Sequence, residues 1–252
     1  MKHFLFIILL FLPFQLFGFD FKSMTVDYDV SYGVLGTVGK AEASIEIKEG
    51  TYKIRIEAKG KGLADFFSRG RKEVYESTGL VIDGKLLPTL FIKNRSWGKK
   101  EERKRYFFNH DKKTVTVIAT KVNGGKVSES KEVIPFYAKE DILTLFFNLE
   151  RVFGKSLLIE EKTDFIAVGA NYKNGVMSVQ TPVGKKVDEI IKLLDKDERL
   201  LIIILNQKFF ASKNGEFFIN VNDDGICNRV ILKDVMMYGD LVGKSTNVQI
   251  KK

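Results

Sequence analysis

The segment KAEASIEIKEGTYKIRIEA, residues 40–58, alternates apolar and polar side chains on both sides of an internal Glu49-Gly50 pair. A period of two places successive side chains on opposite faces of a strand, so Ile45 and Ile47 share one face while Glu46 lies on the other. The glycine favours a tight reversal between the two halves. The segment therefore predicts an antiparallel hairpin with one buried face.

The same alternation continues along the chain in both directions. Upstream it covers Val26–Tyr32, and downstream the strand-like segments are separated by turn sequences such as Asp83-Gly84 and Asn123-Gly124-Gly125. We therefore predict a mainly β chain, an antiparallel meander that forms a bent or closed barrel-like sheet. Apolar residues at helical spacing predict two helices within it, over Glu140–Phe153 and Val187–Lys196.

Length and composition favour one globular domain. The 252 residues are 44% hydrophobic with only 4 prolines, which is enough to bury a core and excludes general disorder. The apolar run Leu200–Leu205 is hydrophobic on both faces, which is typical of a strand buried between two layers. We find no linker or repeat that divides the chain, so residues 19–252 are predicted to form one domain.

The small number of histidines and cysteines excludes several kinds of metal site and any internal disulfide. The chain has 2 His and 1 Cys, so neither a multi-histidine zinc site, a cysteine cluster nor an internal disulfide can be built. His110 lies between Asn109 and Asp111 in a sequence typical of a turn, and Cys227 is expected to be buried. We therefore expect a noncatalytic protein without a metal or other cofactor.

The first residues resemble a secretory signal. Met1-Lys2-His3 is followed by the apolar run Phe4–Phe17 and by Gly18, and Pro13 and Gln15 interrupt the run. We expect residues 1–18 to be a cleaved signal peptide, which would make the mature chain periplasmic or secreted. The alternative is an uncleaved N-terminal anchor.

Several segments together resemble one known family. They are Tyr28–Ala43, Gly62–Ser68, Tyr75-Glu-Ser77, Leu86-Leu-Pro88, Asp141–Phe147, and Val221–Gly225 leading to Leu232 and Tyr238–Leu241. In order and spacing, the chain resembles the exported bacterial family called domain of unknown function 3108 over nearly all of the mature chain. This resemblance implies a periplasmic, antiparallel, barrel-like domain with no assigned activity. The charged segment Val187–Glu198 departs from the pattern and looks like an insertion.

Phenylalanine doublets indicate where an apolar ligand could bind. In a strand, a doublet places one ring on each face, so one ring fills the core and the other needs separate cover. That cover is either a packed helix or a bound apolar ligand. The rings that we select as candidate ligand lining are Phe66, Phe67, Phe107, Phe146, Phe209 and Phe217.

Two basic clusters are candidate anion sites. The net charge is +9, and the clusters contain Arg69, Arg71, Arg103 and Arg105. Acidic residues are interleaved with these bases, which favours a solvated strand face over a specific site. Export makes nucleic acid a poor partner, so an anionic envelope component or transient contact with a membrane surface is the interaction we expect.

These observations lead to three alternative functions. The first is a noncatalytic periplasmic domain that binds a lipid or other amphiphilic component of the cell envelope. The second is a structural or assembly factor that holds other envelope proteins through sheet edges or basic patches. The third, the least favoured, is a hydrolase with paired carboxylates from Asp223-Asp224 or from Asp195 and Asp197.

Overall fold

A long antiparallel meander forms the first half of the protein. The computed structural model describes residues 21–60, 70–153, 162–170, 173–194, 199–205, 215–222, 226–233 and 239–252, with only the backbone of 150–153. The strands of the first half are β1 (Ser23–Tyr32), β2 (Thr37–Lys48), β3 (Thr51–Gly60), β4 (Lys72–Ile82), β5 (Lys85–Trp97), β6 (Lys100–Asn109), β7 (Thr114–Asn123) and β8 (Lys126–Val133).

The second half adds two helices and shorter strands. A short strand β9 (Glu140–Asp141) runs directly into helix α1 (Ile142–Phe153). The remaining elements are β10 (Thr163–Val168), β11 (Val176–Gln180), helix α2 (Lys185–Leu194), β12 (Arg199–Ile204), β13 (Glu216–Val221), β14 (Cys227–Leu232) and β15 (Leu241–Lys251). The predicted helices are therefore confirmed, with ends shifted by two residues at one or both termini.

All strands of the described residues belong to one open sheet. Their order is β8-β7-β6-β5-β4-β3-β2-β1-β15-β14-β13-β12-β11-β10-β9, and every neighbouring pair is antiparallel except β9 and β10. The first strand pairs with the last, which joins the two halves of the chain. The sheet curls enough to bring β5 close to β9, although they are far apart in the order. In the described part the ends remain unpaired, so the structure supports the bent sheet and not the closed barrel.

The main core lies between the inner face of this sheet and helix α1. We define the inner face as the one that carries Ile45, Ile54 and Phe91, which are all buried. Helix α1 is enclosed there and buries side chains on several sides, including Ile142 and Phe146. Because the strands alternate as the sequence predicts, their other side chains point to the opposite, outer face.

A second, smaller core lies on the outer face of the other half of the sheet. Helix α2 covers β13 and β14 there, and its residues Ile190 and Leu194 are buried against Ile202 and Phe218. The apolar run of β12 is thus covered on both faces, because Leu201 and Ile203 belong to the main core. The structure confirms the prediction that this strand is buried between two layers.

Some predicted features lie outside the described residues. They include a short helical turn that the sequence predicts over Leu63–Arg69, a strand predicted near Leu157–Glu160 and the end of a strand predicted over Ile226–Met237.

The buried contact of α2 can be tested by shortening one side chain. Ile190 is fully buried, so Ile190→Ala should lower the free energy of unfolding by about 2–5 kcal/mol through lost burial and a residual cavity. Urea denaturation measures this change. The matched control is Lys192→Ala on the exposed face of the same helix, which should change stability by no more than about 0.5 kcal/mol. Equal effects of the two substitutions would contradict the packing described here.

Candidate functional site

A buried aspartate begins helix α1. Asp141 Oδ1 accepts hydrogen bonds from the backbone N–H groups of Leu143 (2.8 Å) and Thr144 (3.0 Å). The Thr144 hydroxyl donates to the Asp141 carbonyl at 3.0 Å. The first backbone N–H groups of a helix have no partner within the helix, and an acidic side chain that accepts from them stabilises its start. Asp141 is therefore the N-terminal cap of α1.

The other carboxylate oxygen of Asp141 connects the helix to the sheet. Ser77 Oγ on β4 donates to Asp141 Oδ2 at 2.5 Å, and the hydroxyls of Ser77 and Tyr52 lie 2.9 Å apart. All three residues are buried. Since buried polar groups are unfavourable without partners, this chain of hydrogen bonds favours one position of α1 on the inner face.

About two turns further along, Asn148 makes a second link between α1 and the sheet. Its side-chain oxygen accepts from the Leu86 backbone N–H at 2.9 Å, and its nitrogen donates to the Leu86 carbonyl at 2.8 Å. The same nitrogen lies 2.5 Å from Glu140 Oε1. Three segments that carry the family resemblance, around Ser77, Leu86 and Asp141, thus meet at one place.

The carboxyl groups at this junction have raised pKa values. Burial is the largest cause for Asp141 and raises its pKa from 3.8 to about 7, although the bonds from Ser77, Thr144 and Leu143 oppose the change. Burial also raises the pKa of Glu140. Burial therefore favours the protonated form of these carboxyl groups, and the hydrogen bonds of Asp141 cap the helix and hold it on the sheet.

A cluster of charged side chains occupies the inner face next to the main core. We call it the inner charged cluster. Glu73 and Arg95 lie opposite each other on β4 and β5, and Arg95 lies opposite Glu102 on β6. Tyr75, Lys93 and Lys104 form the adjacent row on the same three strands, and Arg71 precedes β4. The described cluster therefore contains four cations and two carboxylates.

Glu73 is at the centre of this cluster. Its Oε1 lies 2.7 Å from Arg71 Nη2 and 3.9 Å from Arg95 Nε, and its Oε2 accepts a hydrogen bond from the Tyr75 hydroxyl at 3.3 Å. Burial raises the pKa of Glu73, and this effect exceeds the opposing influence of Arg71 and Arg95. Arg95 also reaches Glu102, with 3.6 Å between Nη2 and Oε2.

Aromatic rings line the inner charged cluster. The Lys93 ammonium lies 5.2 Å from the centre of the Tyr75 ring, and the Arg95 guanidinium lies 5.7 Å from that of Trp97. Burial lowers the pKa of Lys93 to about 8, with contributions from the neighbouring Lys104 and Arg95 charges. A partly dehydrated cation is stabilised by an added negative charge, so the chemistry of the cluster suits an anionic group.

The predicted arginines do not form a single site. Arg71 belongs to the inner charged cluster, while Arg103 and Arg105 lie on the outer face, and Arg69 lies outside the described residues. Arg105 pairs with Glu129 at 3.4 Å. Arg103 lines an outer groove of about 290 Å³ together with Arg55, Lys72, Glu76, Asn94 and Glu101. Bases and acids alternate here, as expected for a solvated strand face.

The phenylalanines that we selected as ligand lining have different surroundings. Phe146 and Phe217 are buried in the main core, and Phe107 is 40% exposed on the outer face. The remaining three, Phe66, Phe67 and Phe209, lie outside the described residues. At the Phe217-Phe218 doublet, the second ring is covered by helix α2 and lies 5.0 Å from the Lys186 ammonium, which shows that a packed helix can supply the cover.

His110 and Cys227 both have local structural contacts. His110 Nδ1 lies 2.8 Å from the Tyr137 hydroxyl, and its Nε2 lies 2.6 Å from the Pro88 carbonyl oxygen. The ring therefore joins the β6–β7 turn to β5 and to the segment before α1. Cys227 is buried, and burial raises the pKa of its thiol well above its ordinary value.

Asp195, Asp197, Asp223 and Asp224, named for a hydrolase, lie outside the described residues. Within the part that the structure describes, we find no group of three or more His, Cys, Asp or Glu residues suited to a metal ion. No helix among the described residues has both the length and the apolar composition needed to cross a bilayer.

The inner charged cluster and the role of Asp141 were not predicted from the sequence. A signal for the cluster does exist. Lys93 and Arg95 are in phase with the buried Phe91, and Glu73 is in phase with Ser77, so the strand pattern itself places charges on the inner face. No comparable signal identifies the partner of Asp141, because Ser77 lies 64 residues away.

The raised pKa of Asp141 predicts a specific dependence of stability on pH. The folded protein favours the protonated acid, so this contribution to stability is complete below about pH 4 and is lost as the pH rises through 7. Asp141→Asn removes this titration. The free energy of unfolding of the native protein minus that of the variant should therefore fall between pH 4 and 7, by roughly 1 kcal/mol per pH unit. Urea titrations across this range measure it.

A control substitution separates this effect from the general response to pH. Asp111→Asn removes an exposed carboxylate at the β6–β7 turn and should leave a nearly constant difference from the native protein. If the Asp141→Asn difference is equally constant, the carboxyl does not titrate as described.

Comparison with known families identifies a match over more than half of the chain. The model of the family described as Protein of unknown function (DUF3108) matches residues 27–164, which extend from β1 through α1 into β10 and include Ser77, Leu86 and Asp141. The resemblance at Val221–Leu241 lies beyond the matched range. Comparison with curated proteins and with solved structures finds no match. Because the matched range covers more than half of the 252 residues, the chain belongs to the DUF3108 family of proteins of unknown function.

Proposed function

We propose that this protein is a noncatalytic periplasmic domain that binds an acidic amphiphile of the cell envelope. Its acidic group would bind at the inner charged cluster. The single observation that carries the proposal is the presence of four cations and two carboxylates on one partly buried area of the inner face. The proposed location depends on removal of residues 1–18, which the intact mass of protein isolated from its own cells would report.

The charges of the cluster favour an acidic ligand over a neutral one. Arg71 and Arg95 already contact Glu73, and Arg95 also lies near Glu102. The described cluster still has an excess of two positive charges when both carboxylates are ionised. A carboxylate or phosphate would balance that excess and accept charge-assisted hydrogen bonds, which are stronger than those between neutral groups.

The surroundings of the cluster favour a ligand that also has an apolar part. Tyr75, Phe91 and Tyr106 continue the inner face toward the main core, and their ring centres are 6.4 and 5.7 Å apart. These rings are buried in the main core, so a ligand whose acidic group contacts Arg95 would have the apolar edge of that core as the nearest neighbour of its chain. This change from charged to apolar within adjacent strand positions matches an amphiphile better than a small inorganic anion.

Binding of fatty acid to delipidated protein tests the proposal. Oleate should bind, and oleyl alcohol, which has the same chain without the acid, should bind at least about tenfold more weakly. Arg95→Gln should weaken oleate binding by about tenfold because it removes a charged donor on the inner face. Fluorescence displacement or calorimetry gives the dissociation constants.

Arg105→Gln is the matched control for this experiment. Arg105 lies on the adjacent strand and pairs with a carboxylate at the surface, but its side chain is on the outer face. Its substitution should leave oleate binding within about twofold of the native value, since exposed pairs contribute little. No oleate uptake by folded protein, or equal binding of oleate and oleyl alcohol, would refute the proposal.

A second candidate function is a structural or assembly factor that holds other envelope proteins through a sheet edge. The observation that favours it is the exposed terminal strand β8, which has no strand neighbour beyond β7 in the described sheet. Crosslinking in intact cells with a photoreactive residue at the β8 edge discriminates this function. Capture of a defined partner protein together with failure to bind oleate would favour assembly over lipid binding.

A further inference from the structure

Strand β8 is an open edge of the sheet formed by the described residues. All eight residues from Lys126 to Val133 are exposed, including the apolar side chains of Val127 and Val133, which are 68% and 61% exposed. Such an edge presents unpaired backbone groups and can be extended by another strand. Charged side chains commonly oppose that pairing, so the arrangement of the charges on β8 decides which strand can bind.

The hydrogen bonds to β7 determine which residues of β8 face the open edge. The Ile134 N–H donates to the Val115 carbonyl, and this pair continues the register in which Val133 lies opposite Thr116. In an antiparallel pair, residues alternate between bonding to one neighbour and to the other. The backbone groups of Val127, Glu129, Lys131 and Val133 therefore point away from β7, and their side chains share the outer face.

In one antiparallel register, these four residues are complementary to the same four residues of a second chain. If Ser130 lies on a twofold axis, Glu129 of one chain is opposite Lys131 of the other, and Val127 is opposite Val133. A register centred on Glu129 would place two glutamates together, and one centred on Lys131 would place two lysines together. Opposite charges across strands are favourable and like charges are unfavourable, so the register centred on Ser130 is preferred.

We propose that β8 binds the β8 strand of a second copy of this chain, in the register centred on Ser130. The contact is isologous, because the same residues from both copies face each other across a twofold axis. Four outward-facing pairs exchange about eight backbone hydrogen bonds, while the side-chain contact is small. The interface is therefore expected to be reversible and to depend on protein concentration. This inference is independent of lipid binding at the inner face.

Two single substitutions and their mixture test the proposal. Glu129→Lys places two pairs of lysines across the axis, and Lys131→Glu places two pairs of glutamates there, so each variant alone should dimerise at least about tenfold more weakly than the native chain. When the two variants are mixed, every lysine lies opposite a glutamate, and a heterodimer should form. Sedimentation velocity over a concentration series and native mass spectrometry measure all species.

The controls exclude effects of fold or of general surface charge. Glu132→Lys changes the charge on the same strand, but Glu132 is on the other face and lies opposite Ser128 in this register, so dimerisation should be unchanged. Thermal unfolding should show that all variants are folded. A native chain that is monomeric up to about 1 mM, or two single variants that stay monomeric when mixed, would overturn the proposal.

A disulfide test reports the register directly. Ser130→Cys places two thiols in a pair without backbone hydrogen bonds, where the Cα atoms are about 4.5 Å apart and a disulfide can form. Glu132→Cys is the control, because its two thiols would be about four residues, or roughly 14 Å, out of register. The native Cys227 is buried. Rapid oxidation of Ser130→Cys and slow oxidation of Glu132→Cys are expected, and the reverse order would disprove this register.

Discussion

A helix that is enclosed by a curved sheet has to satisfy the polar groups of its first turn without water, and this constraint organises the centre of the molecule. Asp141 provides the acceptors for the first turn of α1 and at the same time accepts from Ser77 on β4. About two turns later, Asn148 makes a second link to the sheet through both backbone groups of Leu86. The apolar contacts of α1 with the inner face follow from this positioning, since the helix is held at two points along its length.

The same strands that hold α1 also carry the inner charged cluster. Ser77 and Glu73 are both on the inner face of β4, four residues apart, yet one belongs to the helix junction and the other to a group of four cations. The charge of a buried glutamate is stabilised here by Arg71 and Arg95, which lowers the cost of keeping it away from water. A single curved face thus combines an apolar core with a charged area, and this combination underlies the proposed binding of an acidic amphiphile.

The outer face is covered by different groups in the two halves of the sheet. Helix α2 covers β13 and β14, so that Phe218 and Ile202 are buried there. On the first half, salt bridges such as those of Arg55 with Glu76 and Glu57 cover a solvated face. Strand β8 is exposed on both faces, and the order of its charges makes it a surface for a second copy of the chain. The inner cluster and the edge are distinct features, which allows ligand binding and dimerisation to be tested separately.

Local pattern determined the mainly β fold class, the two helices and the burial of Leu201–Ile203 between layers, because alternation and helical spacing are properties of neighbouring residues. It also placed charges at Glu73, Lys93 and Arg95 in phase with the core, although their grouping depends on strand pairing. Only the tertiary structure decided that the sheet is open, that Ser77 meets Asp141, and that Arg71 is separated from Arg103 and Arg105. These contacts depend on the curvature of the sheet and on pairing between strands that are far apart in the sequence. No short segment of the sequence encodes that curvature.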